Sequence, residues 1–341
     1  MISDKFYMLR TIELAKNGTG HVSPNPLVGC VIVHDDKIIG EGWHRKYGEA
    51  HAEVNAVNSV TDKSILKDSV VYVNLEPCAH TGKTPPCVDL LIKHQVKRVV
   101  IANVDTNPLV AGKGINKLND AGIKVSTEVL ENEGRELNKR FFTFFKHKRP
   151  FIILKWAQTS DGFIARENYD SKWISNEYSR KLVHKWRSEE DSILVGYNTA
   201  AHDNPKLTAR DWTGRNPVRI VIDPKLNLDP SLHLFDGTTP SICYNTMKQD
   251  IRSNLEYHLL EKEHLLQGML TDLFDRNIQS LIVEGGTQTI KAFLSEGAWD
   301  EARVFISRQK FESGISAPII NKEVGRIEMI GDDELNIYSN T

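Results

Sequence analysis

Three short segments of this 341-residue chain bring together residue types that bind a metal and move a proton: His51-Ala52-Glu53, Pro77-Cys78 and Pro85-Pro86-Cys87. They offer one imidazole, two thiols able to become thiolates, and one carboxylate. Zinc takes nitrogen and sulfur donors tetrahedrally, and a catalytic zinc keeps its fourth position for water. His51, Cys78 and Cys87 fill three positions, which leaves Glu53 free to carry protons. Two thiolates cancel the formal charge of the ion, so the metal acidifies water less than an all-histidine site, where the pKa falls to about 7. A neighbouring base is then needed more, and Glu53 fits that need. The alternatives are a closed zinc site with His44 or His80 as fourth ligand, or a pair of buried cysteines. Either leaves Glu53 without a task.

These groups converge only if particular elements present them. Mid-helix residues two apart do not share a face, so His51 must sit at or just before the first turn of its helix. Pro86 as a first-turn residue places Cys87 at a helix N-terminus, where thiolate is favoured. The surrounding pattern supplies such elements. A helix carries Phe6, Leu9, Ile12 and Leu14 at roughly helical spacing and stops at Asn17-Gly18. Strands are expected over 28–33, 38–43, 70–75 and 96–102, with another at Val125, and helices from His51, over 88–94, over 115–121 and over 131–146. Strands alternating with helices indicate a layered α/β fold.

The run His147-Lys148-Arg149-Pro150 is a charged break ended by proline, and it divides the chain into domains 1–147 and 148–341. Two domains agree with a rule of thumb of roughly 150 residues per domain. The second half restarts with a strand over 151–156, an amphipathic helix over 178–187, and strands over 193–195, 218–222, 281–283 and 302–306. A helix follows Gly285-Gly286, and no elements are assigned over 226–269.

Composition narrows the function classes. Lys plus Arg number 43 and Asp plus Glu 45, so the basic excess of a nucleic-acid-coating protein is missing. No apolar run approaches the roughly 18 residues of a membrane span, and the first residues lack the layout of a signal peptide. A cytoplasmic protein without nucleic-acid or membrane partners is expected, and a homo-oligomer is allowed. The four cysteines, Cys30, Cys78, Cys87 and Cys243, are too few for a disulfide scaffold in so long a chain.

His-x-Glu followed by Pro-Cys-x-x-Cys is the pattern of the zinc deaminases, but here eight residues, Ala79 to Pro86, separate the cysteines. With that insert, Glu-Pro-Cys-x-His-x-Gly-Lys-Thr-Pro-Pro-Cys resembles the bifunctional riboflavin-biosynthesis deaminase/reductases. The resemblance extends to Ser23-Pro24-Asn25-Pro26-Leu27-Val28-Gly29, Gly42-Trp43-His44 and Asp105-Thr106-Asn107-Pro108. Thr106 departs from the family's usual Asp. The resemblance implies an α/β protein: an N-terminal cytidine-deaminase-like three-layer domain, then a C-terminal dihydrofolate-reductase-like domain. It implies Zn2+ and NADPH as cofactors and small phosphorylated pyrimidines as substrates. The first would be 2,5-diamino-6-ribosylamino-4(3H)-pyrimidinone 5′-phosphate, hydrolysed at the carbon bearing the 2-amino group. Glu53 would take the proton of the attacking water and pass it to the ring nitrogen and then to ammonia. By the same resemblance Asn25, His44, Lys83, Asp105 and Asn107 line the base and phosphate pocket, with His44 and Lys83 suited to the phosphate. Read without the family, Asn25 is a turn residue between prolines and Lys83 a solvated loop charge.

The second half shows a weaker local signal. Val283-Glu284-Gly285-Gly286-Thr287 lies between a strand and a helix, where amides and a helix N-terminus accept an anion, but it is not the dinucleotide fingerprint. The reductase resemblance rests on Leu154-Lys155, Ser160-Asp161-Gly162, Ser171-Lys172-Trp173-Ile174, Asp203-Asn204-Pro205-Lys206-Leu207-Thr208, Val218 to Asp223 and Glu284-Gly285-Gly286. It implies that Trp173, Thr199, Asp203, Gly285, Gly286 and Thr287 contact NADPH. Ser171, Arg187, Leu207, Arg210 and Glu284 would contact the ribose-phosphate substrate, with Arg187 and Arg210 suited to bidentate phosphate binding. Asn204 stands where the family has a second Asp. Without the family, Trp173 reads equally well as core and Arg187 as a solvated helix face. No residue stands out in the sequence as acid or base for the reduction. Two competing readings are a deaminase of a nucleoside or tRNA base, which the insert and the second half disfavour, and a zinc-stabilised binding module, which Glu53 disfavours.

Overall fold

Alternate residues of a strand point to opposite faces, and in the computed structural model both faces of each main sheet are covered. The structure describes residues 3–81, 85–107, 110–171 and 174–340. It divides into two compact units, Met1–Lys148 and Arg149–Thr341.

The first unit contains α1 (Asp4–Lys16), β1 (Gly29–His34), β2 (Lys37–Trp43), α2 (Ala52–Ser59), β3 (Val70–Leu75), α3 (Cys87–Lys93), β4 (Arg98–Asn103), α4 (Lys113–Asp120), β5 (Lys124–Ser126), α5 (Glu131–Leu137) and α6 (Lys139–His147). The sheet order is β2-β1-β3-β4-β5. The β2-β1 and β1-β3 pairs are antiparallel, and β3-β4 and β4-β5 are parallel. Ile32, Val71, Val73, Val99 and Ile101 pack with Ala56, Val88, Leu91 and Leu118 of α2, α3 and α4. Their neighbours Val31, Val33, Tyr72 and Val100 pack with Tyr7, Met8 and Ile12 of α1. The result is a three-layer α/β/α unit, in which each fully buried Val, Ile or Leu contributes about 1.5–3 kcal/mol.

Two sequence expectations change here. The buried face of α1 is Tyr7, Met8, Thr11, Ile12, Leu14 and Ala15, whereas Phe6 and Leu9 are exposed. The backbone decides this: a Cβ on Gly29 would lie 2.1 Å from the Thr11 carbonyl oxygen, so α1 packs against β1 along its Thr11–Ala15 side. The helix expected over 131–146 is two helices, α5 and α6, parted at Asn138 (φ −104°, ψ 24°). There the Asn138 amide serves a distant segment: its Oδ1 accepts the Leu27 N–H (2.8 Å) and its Nδ2 donates to the Leu27 carbonyl (2.9 Å).

The second unit contains β6 (Phe151–Gln158), β7 (Phe163–Ala165), α7 (Glu177–Glu189), β8 (Ser192–Gly196), α8 (Tyr197–Asp203), β9 (Val218–Ile222), β10 (Ser241–Asn245), β11 (Asp250–Arg252), β12 (Leu255–Leu259), α9 (Leu265–Asp275), β13 (Ser280–Glu284), α10 (Thr287–Ser295), β14 (Glu301–Ile306), β15 (Ile315–Ser316), β16 (Arg326–Ile330) and β17 (Asp333–Ser339). The sheet order is β11-β12-β10-β9-β8-β13-β6-β14-β17-β16, and β7 pairs with β15 separately. From β12 through β14 the pairs are parallel, as in βαβ architecture. Ile152, Leu154, Leu281 and Val283 face α9 and α10, while Ile153, Ile193, Val195 and Ile282 face α7 and α8. The unassigned stretch over 226–269 holds β10, β11, β12 and the start of α9. Among the described residues no helix is long and apolar enough to cross a membrane.

Candidate active site

His51 is the N-cap of α2, with extended backbone (φ −72°, ψ 167°), and Glu53 lies in the first turn. This meets the condition for the pair to converge. Cys78 follows the end of β3, and Cys87 opens α3 with Pro86 as its N-cap, one position earlier than a first-turn proline. His51 Nδ1 lies 3.6 Å from Cys78 Sγ and 3.3 Å from Cys87 Sγ. The three donor atoms fall within 4.8 Å of one another. A tetrahedral zinc with Zn–S near 2.3 Å and Zn–N near 2.0–2.1 Å requires donor separations of about 3.6 Å, so these residues fit the ion. Among the described residues, no other His, Cys, Asp or Glu joins this group.

The local fields suit the same chemistry. Cys78 is drawn down to about 4 by hydrogen bonding with Cys87 and with His51, against the opposing effect of burial. The Cys87 amide, at a helix N-terminus, also donates to Cys78 Sγ at 3.3 Å. Cys87 is held well above the usual thiol range by the hydrogen bond of its own thiol to Cys78 and by burial. The pair therefore starts with one thiolate and one proton to lose. Glu53 is buried, and burial plus the Cys78 charge raise its pKa. A carboxyl so raised moves toward the range where general acid-base catalysis is efficient.

A cavity of about 340 Å³ opens above the cluster, and Asn25, His44, His51, Glu53, Asp105 and Asn107 line it together with Cys78. His44 Nδ1 lies 3.1 Å from the Ala50 carbonyl, which can only accept, so Nδ1 carries the proton and Nε2 accepts from Asn25 Nδ2 at 3.0 Å. Burial lowers the His44 pKa. Both ring nitrogens are thus engaged within the wall of the cavity, and burial disfavours the charged ring. Burial lifts Asp105 to about 7, and its Oδ1 accepts the Asn107 N–H at 2.6 Å. Lys83 lies outside the described residues.

Sequence reasoning missed the groups that hold this wall. Asn74 Nδ2 donates to the Leu27 carbonyl (2.9 Å) and its Oδ1 accepts the Gly29 N–H (2.8 Å). With Asn138 it clamps the backbone beyond Asn25. The only sequence signal was polar residues inside apolar strand and helix patterns. The position of α2 depends on Gly42 in β2, where a Cβ would lie 2.3 Å from the Ala56 nitrogen and 2.6 Å from the Ala52 carbonyl oxygen. Gly42→Ala is expected to push α2 and His51 outward, costing about 1–3 kcal/mol and weakening zinc binding about ten-fold. Chelator competition and thermal unfolding check this.

In the second unit a cavity of about 630 Å³ lies at the carboxyl ends of the parallel strands, the usual ligand position in such sheets. Thr199, Asp203, Gly285, Gly286 and Thr287 all line it, as do Ser171, Arg187, Leu207, Arg210 and Glu284. Trp173 lies outside the described residues. Gly285 adopts φ +98°, and a Cβ there would lie 2.6 Å from Thr199 Oγ1. The Gly286 N–H donates to that same Oγ1 (2.8 Å), and α10 begins without a side-chain cap. Its first-turn amides therefore suit an anion such as a pyrophosphate, and the cavity fits a nicotinamide dinucleotide on that basis. Leu207 is 1% exposed at φ 54°, a strained conformation costing about 1–3 kcal/mol of the kind retained at ligand sites.

Arg187 lines the cavity with part of its guanidinium already engaged inside the protein. Its Nε and Nη2 hold Glu284 at 3.2 and 2.8 Å, and its Nη1 donates to the Thr208 carbonyl. Arg210, half exposed, also lines the cavity, with Nε 3.9 Å from Asp211 Oδ2. The sequence reading also passed over Lys155, which faces Glu284 across β6 and β13 with Nζ 4.0 Å from Oε2. Burial lowers the Lys155 pKa, and Glu284 opposes this. The signal available was a lysine within Phe151-Ile152-Ile153-Leu154-Lys155-Trp156. Asn204, the departure from the family's Asp, caps α8 at φ 41° and accepts the His233 N–H, so it is engaged in the turn while Asp203 reaches the cavity.

Comparison with known proteins follows the same division. Residues 1–103 match the cytidine and deoxycytidylate deaminase zinc-binding region, and residues 150–307 match the RibD C-terminal domain. The chain is 43% identical to the riboflavin biosynthesis protein RibD of Aquifex aeolicus, over 92% of this chain and 89% of that one. It is 41% identical to the RibD of Bacillus amyloliquefaciens, over 89% and 84%. Among solved structures, a diaminohydroxyphosphoribosylaminopyrimidine deaminase/5-amino-6-(5-phosphoribosylamino)uracil reductase from Thermotoga maritima superposes with a TM-score of 0.90 at 37% identity, covering 98% of this chain and 97% of that one. RibD from Acinetobacter baumannii gives 0.89 at 31% identity, covering 98% of each.

Proposed function

The chain belongs to the riboflavin biosynthesis protein RibD family, bifunctional deaminase/reductases, and on that footing we propose how its residues divide the two reactions. The first substrate is 2,5-diamino-6-ribosylamino-4(3H)-pyrimidinone 5′-phosphate. The carrying observation is the cluster of His51, Cys78 and Cys87 with Glu53 buried beside it and outside the ligand set. His51, Cys78 and Cys87 hold zinc, which acidifies and presents a water when bound. Asn25, His44, Asp105 and Asn107 orient the pyrimidine, and Lys83 takes the phosphate. Glu53 removes a proton from the attacking water and returns it to the ring nitrogen. It then takes the remaining hydroxyl proton of the adduct and passes it to the departing amine, so that C–NH2 and water become C=O and ammonia. The raised Glu53 pKa lets one carboxyl serve as base and then as acid.

The deaminated product is the substrate of the second cavity. Opening the ribose of a ribosylamine gives an imine, and the cofactor NADPH supplies the hydride that reduces C1′. The Gly285–Thr287 turn, Thr199, Asp203 and Trp173 seat the dinucleotide, while Ser171, Leu207, Arg210 and the Arg187–Glu284 pair hold the sugar phosphate. Lys155, whose pKa burial lowers and Glu284 raises, is placed to donate the proton that ring opening requires. Gly285→Ala is expected to raise the KM for NADPH at least about ten-fold, because the new methyl meets Thr199 in a backbone conformation that alanine disfavours. Ammonia release should be unchanged.

The coupled assay tests the whole reading. With the pyrimidine phosphate as substrate, ammonia release should precede a stoichiometric oxidation of NADPH, and zinc removal should stop both. NADPH oxidation by the undeaminated substrate at an equal rate would contradict the order.

A further inference from the structure

Glu76 ends the run that leads from β3 into the Pro77-Cys78 turn, and neither the metal cluster nor the proton path uses it. It is 4% exposed, yet its carboxylate is fully engaged with main-chain donors. Oε2 accepts the N–H groups of Asp105 (3.2 Å) and Gly112 (2.9 Å), and Oε1 accepts those of Gly114 (2.8 Å) and Ile115 (3.2 Å). Its own N–H donates to the Asn103 carbonyl at 2.9 Å. A buried carboxylate is costly unless hydrogen bonds to the charged form offset its lost hydration. Four amides from two separate segments do so here. One segment is the loop after β4 that carries Asp105 and Asn107. The other is the start of α4, which packs so closely that a Cβ on Gly114 would lie 2.2 Å from the Pro77 carbonyl oxygen. A glutamine could accept from only one of these directions, because its amide nitrogen would oppose the other two N–H groups.

We propose that Glu76 is a positioning residue for deamination: one buried carboxylate ties the Asp105–Asn107 loop and the start of α4 to the turn that carries Cys78. It thereby sets the distance between the pyrimidine-binding wall and the metal centre. The inference rests on Asp105 and Asn107 binding the pyrimidine. It goes beyond that reading in assigning their placement to a residue outside the metal cluster and the proton path, whose carboxylate is spent on main-chain donors.

Steady-state deamination by the zinc-replete full chain tests this with Glu76→Gln. The KM for the pyrimidine phosphate should rise about ten-fold with kcat within about three-fold. Zinc per chain and reductase turnover should stay at the wild-type level. A KM equal to wild type overturns the proposal. So does loss of zinc with unchanged KM in the remaining active fraction, which would make Glu76 a support for the metal turn. If Glu76→Gln loses reductase turnover as well and so fails to fold, Glu76→Asp decides. Its shorter anion should give a smaller KM rise at full zinc occupancy, and an unchanged KM overturns the proposal again. Asp105→Asn separates the premise from the inference. If Asp105→Asn leaves KM unchanged, the pyrimidine-wall reading fails, and the proposal falls with it. If Asp105→Asn raises KM while Glu76→Gln does not, only the role of Glu76 fails.

Discussion

Glu53→Gln should lower kcat for ammonia release by about 10²–10⁴, the usual worth of a positioned acid-base group, and leave zinc content unchanged. The substitution keeps the size of a side chain that is 3% exposed, so the first turn of α2 and the His51 N-cap should persist. It removes only the ability to take a proton and give it back. The pH profile offers a second reading. Burial and the Cys78 charge raise the wild-type carboxyl above its ordinary value of 4.5, so its base form, and the rate it supports, should be lost as pH falls through that raised value. The variant's residual rate should lack this acid limb. Loss of zinc in Glu53→Gln would instead make the carboxylate a ligand.

The second large effect is expected from Glu284→Gln. Arg187 and Glu284 are each less than one-tenth exposed, and Lys155 lies beside them. Removing the anion leaves two cations facing a neutral amide, and breaking a buried pair in this way costs about 3–5 kcal/mol. Reductase turnover should fall with it, because Lys155 loses the anion that opposes the effect of burial on its ammonium. Burial alone would raise the Glu284 pKa, but the charges of Arg187 and Lys155 and the Arg187 hydrogen bond draw it down to about 2. The unfolded chain binds this proton near 4.5 and the folded chain only near 2. The pair's stabilisation is therefore complete above about pH 5 and disappears as pH falls toward 2. Urea unfolding of the second unit should show a wild-type stability that declines across this window, with the variant flatter and lower throughout. Equal stability of the two proteins at pH 7 would contradict the ion-pair account.

What the sequence disclosed, and what it hid, follows the range of the interactions. His51 and Glu53 are two residues apart, Cys78 lies in the turn just after β3 and Cys87 opens α3, so local spacing carried the candidate ligand set. The strands over 218–222 and 70–75 were legible because mostly apolar, β-branched runs end at Asp223-Pro224 and Glu76-Pro77. Glu76 was not, because its partners lie 29 to 39 residues away. Asn138 acts on Leu27 across 111 residues, and that long-range demand is what breaks the expected single helix. Similarly, the Arg187–Glu284 pair was hidden because 97 residues separate its members. The short strands β10 to β12 escaped detection because Asn245-Thr246-Met247-Lys248-Gln249-Asp250 interrupts their apolar pattern.

The central claim concerns how the metal is held, and anomalous diffraction at the zinc edge from crystals of the replete chain tests it most directly. The account predicts one strong peak bonded to His51 Nδ1, Cys78 Sγ and Cys87 Sγ, with a solvent oxygen completing the tetrahedron within hydrogen-bond reach of Glu53. A peak whose fourth ligand is Glu53, His44 or His80, or no peak at these three residues, would contradict it.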